Sequence, residues 1–286
     1  MTRPGTRRFT WHGIDACLQT NVPDLANRVA LFLSLPGVVL PTTDTLLPDT
    51  EHLVTASNTG AGYRIRGDGW HLETDDADQM LFMVLEGLGH IFLTTGSATV
   101  LHAGAIKGPA GACIFYGAPH AGKTTLAYTA WREGHQVIGD DRVRLSADHQ
   151  SIEPFPKCLK LRIDPDNPPG AGVPGELQAR GAMTPDDHRL ILARELEGFS
   201  PYDESTPIAT LVHLERAGHT AIETLPPDEA LTTMLENIAS DDADTMAIVR
   251  LIKRQSERGR LFRLTVAPDE SKAAVNALLA AGANNK

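Results

Sequence analysis

Residues 117–141 read GAPHAGKTTLAYTAWREGHQVIGDD. The first eight fit the pattern G-x-x-x-x-G-K-[ST] at every defined position, from Gly117 to Thr124. Glycines at both ends of such a loop let successive backbone N–H groups turn inward around an anion. Lys123 reaches the β- and γ-phosphate oxygens, and the Thr124 hydroxyl offers a ligand to Mg²⁺. The stretch Gly117, Ala118, Pro119, His120, Ala121, Gly122, Lys123, Thr124 and Thr125 is therefore the expected ATP-binding segment. His120 within it reads as solvent-facing rather than as a phosphate contact. An apolar run, CIFY, precedes the loop, and TTLAYTAW follows with helix-compatible spacing, so a helix over about 123–133 points its positive end at the phosphates.

The stretch closes on two adjacent aspartates. Eighteen residues separate Lys123 from Asp141. That length accommodates about three helical turns, a reversal at Gly134-His135 and the short strand QVIG. The expected path returns the chain beside the strand that launches the loop and brings Asp140 and Asp141 near the γ-phosphate. One carboxylate then holds Mg²⁺, directly or through water. The other orients an attacking hydroxyl and accepts its proton. Spacing alone does not order the pair.

Upstream, ATVLHAGAIKG and GACIFYG read as two strands joined by a Lys-Gly-Pro-Ala-Gly turn, with His102 in the first. A histidine, a glycine loop and then REGHQVIGDDRV together resemble the HPr kinase/phosphorylase family and its kinase-like relatives. The likeness is specific over about residues 98–146 and weaker in PIATLVHLER and the Pro-rich helix start after it. It implies an α/β fold with a P-loop kinase core of phosphoenolpyruvate-carboxykinase-like type. It also implies catalysis involving His102, Lys123, Asp140 and Asp141, with Asp141 as the proton acceptor and Asp140 on the metal side with Thr124, and with ATP and Mg²⁺ as cofactors. A second signature of the bifunctional enzymes, Leu-Glu-(Ile/Val)-Arg-Gly, has its nearest counterpart in CLKLRID. Arg162 matches its arginine, and Lys160 stands where its glutamate would. The reverse reaction, phosphorolysis of phosphoserine, is thus not implied. The resemblance is to a diverged relative, among which are kinases that modify peptides such as lasso peptides.

Lys157, Lys160 and Arg162 form a basic strip after the acidic pair and are candidates to clamp transferring phosphoryl oxygens. An ordinary solvated edge strand is the alternative. Lys253, Arg254, Arg258 and Arg260 cluster at a helix end, where cations complement the macrodipole. The Pro-, Gly- and Asp-rich stretch 163–188 reads as a long loop.

The remaining chain bounds the function. It has 286 residues, 42% hydrophobic and 22% charged, the make-up of a globular protein. A net charge of −10 argues against duplex nucleic acid as the main partner. Cys17, Cys113 and Cys158 are odd in number and lack metal-ligand spacing, which suits buried thiols in a reducing compartment. No signal peptide and no run of about 20 apolar residues is visible, so a cytoplasmic protein without a membrane partner is expected. Residues 7–18 and 51–72 read as strands, with a turn at Asp68-Gly69, and helices follow Pro23-Asp24 and begin near Asp76. Residues 1–95 are expected to form a small α+β lobe and residues 96–286 the catalytic domain. PIATLVHLER and HTAIETL read as a strand pair turning at Ala217-Gly218, and helices follow over PPDEALTTMLENI, DDADTMAIVRLIKRQSER and from Pro268.

The function expected from these residues is transfer of the ATP γ-phosphate to a hydroxyl, serine by preference, of a peptide or protein. A small-molecule hydroxyl kinase and a non-catalytic nucleotide-binding regulatory module remain as alternatives. Homo-oligomers occur among the relatives, and no interface signature is visible here.

Overall fold

The computed structural model describes residues 5–33, 38–40, 52–96, 99–155, 159–162, 182–183, 188–191, 205–240 and 243–283. The chain divides into two compact units, Met1–Thr95 with Pro156–Glu195, and Gly96–Phe155 with Leu196–Lys286. The segment 156–195 thus groups with the first unit, where the sequence placed it in the second domain.

In the first unit, β1 (Gly5–Trp11) and β2 (Ile14–Thr20) form a hairpin. The sequence suggested one strand over 7–18. His12 and Gly13 instead adopt φ of 45° and 78°, the two-residue turn that matches strand twist. Helix α1 (Leu25–Leu33) follows, then β3 (Val38–Leu40), β4 (Leu53–Asn58), β5 (Tyr63–Gly67) and β6 (Trp70–Thr74). Their sheet runs β3-β1-β2-β4-β5-β6, with the β5–β6 turn at Asp68-Gly69 as the sequence indicates. Helix α2 (Ala77–Thr94) starts at Asp76, whose side chain accepts from the N–H groups of Asp78 and Gln79, a cap worth about 1 kcal/mol. Leu81, Leu85, Leu88 and Phe92 of α2 are buried. A separate three-stranded sheet joins β13 (Leu159–Arg162), β15 (His188–Ile191) and β14 (Ala182–Met183). Apart from these strand residues, the stretch 163–188 lies outside the described residues.

The second unit is built around β9 (Gly111–Tyr116). Ala112, Ile114 and Tyr116 enter one apolar cluster, and Cys113 and Phe115 enter another. A strand buried on both faces needs helices on both sides. Helices α4 (Pro227–Leu235) and α5 (Thr245–Glu257) cover the first face; α3 (Lys123–Arg132) and α6 (Ser271–Ala283) cover the second. The other strands are β7 (Val100–Leu101), β8 (Ala103–Gly108), β10 (Val137–Gly139), β11 (Val143–Leu145), β12 (Ser151–Glu153), β16 (Thr206–Arg216), β17 (Ala221–Thr224) and β18 (Leu261–Val266). The order is β10-β8-β9-β16-β12-β11-β7, with β18 pairing β16 and β17 pairing β18. The mixed α/β class agrees with the sequence reading.

Two expectations need correction. β16 and β17 do not pair with each other. β18 lies between them, parallel to β16 and antiparallel to β17. β18 offers buried Leu261 and Leu264, whereas β17 is largely exposed and serves as an edge. The acidic pair also does not return beside β9. Its strand β10 pairs with β8, one position further out.

Residues 100–108 and 137–145 form one antiparallel ladder with an interruption. Gly139 pairs with Ala105 and Val143 with Leu101, four positions on along one strand and four back along the other. The register is therefore kept across the gap. His102 divides one strand into β7 and β8; Asp140, Asp141 and Arg142 divide the other into β10 and β11. Strands that break in this way carry a sheet around a corner, and the corner residues escape the ladder.

The tail of α4 fills the gap. Asn237 O accepts from His102 N at 2.7 Å, Val100 O accepts from Ala239 N, and Ser240 Oγ accepts from Val100 N. The basic group at 253–260 has a structural part here. Arg260 is 8% exposed and donates to the carbonyls of Ala281 and Gly282, closing the C-terminal turn of α6.

Candidate active site

The glycine loop runs from the end of β9 into α3. β16 lies parallel beside β9 and passes so close that a Cβ on Gly117 would stand 2.3 Å from the Leu214 carbonyl oxygen. Gly122 caps α3 at φ 102°, a left-handed conformation, and supplies no side-chain cap, which leaves the helix end for an external acceptor. His120 is exposed at φ 66°, a conformation that costs a non-glycine residue about 1 kcal/mol or more. Gly117→Ala must displace backbone rather than a flexible side chain. We expect it to destabilise the protein by about 1–3 kcal/mol and to weaken nucleotide binding at least tenfold; a thermal melt and an ATP titration measure both.

Lys123 is 6% exposed and donates from Nζ to the carbonyls of Gly117 at 2.8 Å and Ala118 at 3.2 Å. Burial pushes its pKa down, and the negative charge of Asp141 opposes that shift. Asp141 is thus a close electrostatic neighbour of the loop lysine. Asp141 Oδ1 also lies 3.3 Å from His102 Nε2, with side-chain exposures of 30% and 40%. The two corner interruptions therefore bring together residues 39 positions apart and place them beside the loop.

The two aspartates differ in environment. Asp140 is 5% exposed while Asp141 is open enough to meet a substrate. Asp140 is buried because the chain bends there instead of running out into solvent. Thr124 lies in the first turn of α3, half-buried. Thr124 and Asp140 offer oxygen donors alone, which suits Mg²⁺, an ion that takes one or two carboxylates and completes its shell with phosphate and water. No set of three or more His, Cys, Asp or Glu side chains is disposed around a metal position among the described residues.

Of the basic strip, Lys157 lies outside the described residues. Lys160 and Arg162 fall on β13, opposite Leu190 and His188, in the first unit and not in the unit that carries the loop. Cys17 and Cys113 are buried free thiols, as expected, and burial pushes Cys113 up to about 11; Cys158 lies outside the described residues. No helix among the described residues is long and apolar enough to cross a membrane.

Sequence reasoning missed the neighbours that β16 supplies. His213 pairs in register with Tyr116, the last strand residue before the loop, and the two rings stack with centroids 5.6 Å apart. His213 Nδ1 is 3.1 Å from Glu215 Oε1, and Arg263 joins Glu215 to Glu223. Burial holds the His213 pKa below its ordinary value, with the Glu215 charge acting against it.

The folded state therefore binds fewer protons here than the unfolded chain as pH falls below about 6.5. Its stability contribution is complete above that pH and is lost as pH drops toward the lowered value. The slope from this one group is at most about 1.4 kcal/mol per pH unit. Urea midpoints should fall between pH 7 and pH 5.5, and His213→Gln should flatten that fall.

Comparison with known proteins gives little. No family model and no curated protein matches the chain. Among solved structures, the Hpr(Ser) kinase/phosphatase from Coxiella burnetii is similar over 63% of this chain and 93% of its own. The identity is 8% and the TM-score 0.29.

Proposed function

We propose that the protein is an ATP-dependent phosphotransferase, similar to the HPr kinase/phosphorylase-like enzymes, that phosphorylates a hydroxyl of a peptide or protein, serine by preference. The observation that carries this reading is the approach of Asp141 to His102, at 3.3 Å, beside the buried Lys123. A phosphate loop alone binds nucleotide. A loop with a half-exposed carboxylate next to its lysine, oriented by an imidazole, has what a hydroxyl acceptor needs.

In this reading the loop N–H groups and Lys123 hold the β- and γ-phosphates. The acceptor hydroxyl lies against Asp141, which takes its proton as the oxygen attacks the γ-phosphorus in line and the bond to the ADP oxygen breaks. His102 keeps the Asp141 carboxylate turned toward the hydroxyl. Its backbone is fixed by Asn237, so the orientation is set by the fold. Lys123 stabilises charge on the transferring group. Mg²⁺, when bound, neutralises phosphate charge, with Thr124 and Asp140 as its protein donors.

The test is incubation with γ-labelled ATP and Mg²⁺ against separate pools of peptides, proteins and metabolites. Label on a peptide or protein is the expected result. Label on metabolites alone assigns a small-molecule kinase, and nucleotide binding without transfer assigns a regulatory module.

A further inference from the structure

β7 has two edges. On one it pairs with β11, Leu101 opposite Val143 and Val100 opposite Arg144. On the other it stands last in the sheet order, yet Val100 and Leu101 are buried. Backbone groups on a buried edge need partners. The tail of α4 supplies them. It runs antiparallel to β7, with Ile238 opposite Leu101. His102 N donates to Asn237 O, and Ala239 N donates to Val100 O. In a regular ladder of this register the Val100 N–H would donate to the Ala239 carbonyl. It donates instead to the Ser240 hydroxyl, at 3.1 Å. Ser240 is 9% exposed, so solvent is poorly placed to replace that acceptor.

We propose that Ser240 is a positioning residue for phosphoryl transfer. Its hydroxyl closes the rung that holds β7, and through β7 the backbone of His102, where the imidazole meets Asp141. The inference rests on the phosphotransferase reading above. Without the Ser240 oxygen, a buried N–H two residues from His102 has no acceptor, and β7 has to shift to find one. His102 is bonded to the same tail and moves with it. The shift need not be large, because a misplacement of about 1 Å can cost about 10²-fold in rate. The body of the same helix reaches the glycine loop. Tyr116, the residue before Gly117, has its hydroxyl 3.4 Å from the Ala230 carbonyl. α4 and its tail thus join the strand that launches the loop to the strand that carries the histidine, and Ser240 is the side chain that fastens the far end.

The experiment measures single-turnover transfer from γ-labelled ATP for Ser240→Ala, in the unaltered protein and in a His102→Ala background. In the first, Ser240→Ala is expected to slow transfer about tenfold, with the Kd for ATP within about twofold by calorimetric titration. In the second it is expected to change the rate by less than about twofold, because the group it positions is gone. Ser240→Cys keeps the volume with a weaker acceptor. It should lose less, and it carries the test if the alanine variant folds poorly. A further readout needs no turnover: the ¹⁵N resonances of the His102 ring, identified by their loss in His102→Ala, should move in Ser240→Ala. Equal slowing in both backgrounds overturns the proposal, because Ser240 then supports the fold at large. Transfer at an unchanged rate in Ser240→Ala overturns it too. If the unaltered protein transfers phosphate to no acceptor, the phosphotransferase reading fails, and the ring resonances alone decide whether Ser240 positions His102.

Discussion

Asp141→Asn should abolish phosphoryl transfer while leaving ATP binding nearly unchanged. The substitution keeps the shape and removes the proton-accepting oxygen, which is worth about 10²–10⁴ in rate when a side chain acts as general base. Binding should be spared because, in the proposed reading, the loop and Lys123 hold the phosphates, and removal of a nearby negative charge does not weaken an anion's hold. Single-turnover transfer from γ-labelled ATP measures the first quantity, and calorimetric titration the second. We expect the Kd for ATP within about threefold of the unaltered protein. If transfer persists at more than about a tenth of its rate, the proton goes elsewhere and the assignment to Asp141 is wrong. Asp140→Asn provides the contrast. On the metal-side assignment it should raise the Mg²⁺ concentration needed for half-maximal transfer, which Asp141→Asn should not do.

Lys123→Ala is expected to have the other large effect, and on both quantities: at least tenfold weaker ATP binding and a fall in transfer of about 10³ or more, the scale of losing a cation that stabilises phosphoryl charge. The folded protein should survive it. Burial holds the Lys123 pKa below its ordinary 10.5, so its charge costs stability at neutral pH relative to the unfolded chain. By the sign of that shift, the cost is present at neutral pH and is relieved only as pH rises toward the unfolded value. Lys123→Met, which keeps the apolar stem and drops the charge, should therefore show a Tm without nucleotide equal to or above that of the unaltered protein. A large drop in Tm would mean that the bonds to the Gly117 and Ala118 carbonyls outweigh the burial cost, and that Lys123 is chiefly structural.

Much of the second unit was legible from local pattern. The strand–loop–helix around Gly117–Thr124, the short strand before Asp140 and the helices over 227–235 and 245–257 follow from glycine positions, apolar periodicity and acidic helix starts, all of which act over a few residues. Where the sequence reading went wrong, partners distant in the chain decided the outcome. A strand pair around Ala217-Gly218 is the natural local reading. β18, some 40 residues on, takes the inner position because its two leucines need cover on the sheet. The run 98–108 reads as one strand, and nothing local to His102 marks it as a corner.

The amino-acid sequence by itself determined that a glycine loop of phosphate-binding pattern links a strand to a helix, which residues compose it, and that an acidic pair follows within one helix and one short strand. Those features depend on backbone freedom and spacing between neighbours, which a linear string records. Only the tertiary structure decided that His102 meets Asp141 and that Asp140 is buried while Asp141 is more open. Each of these depends on which strand pairs with which. Pairing is settled by the burial of whole faces across the sheet, an energy shared among many residues and written at no single position.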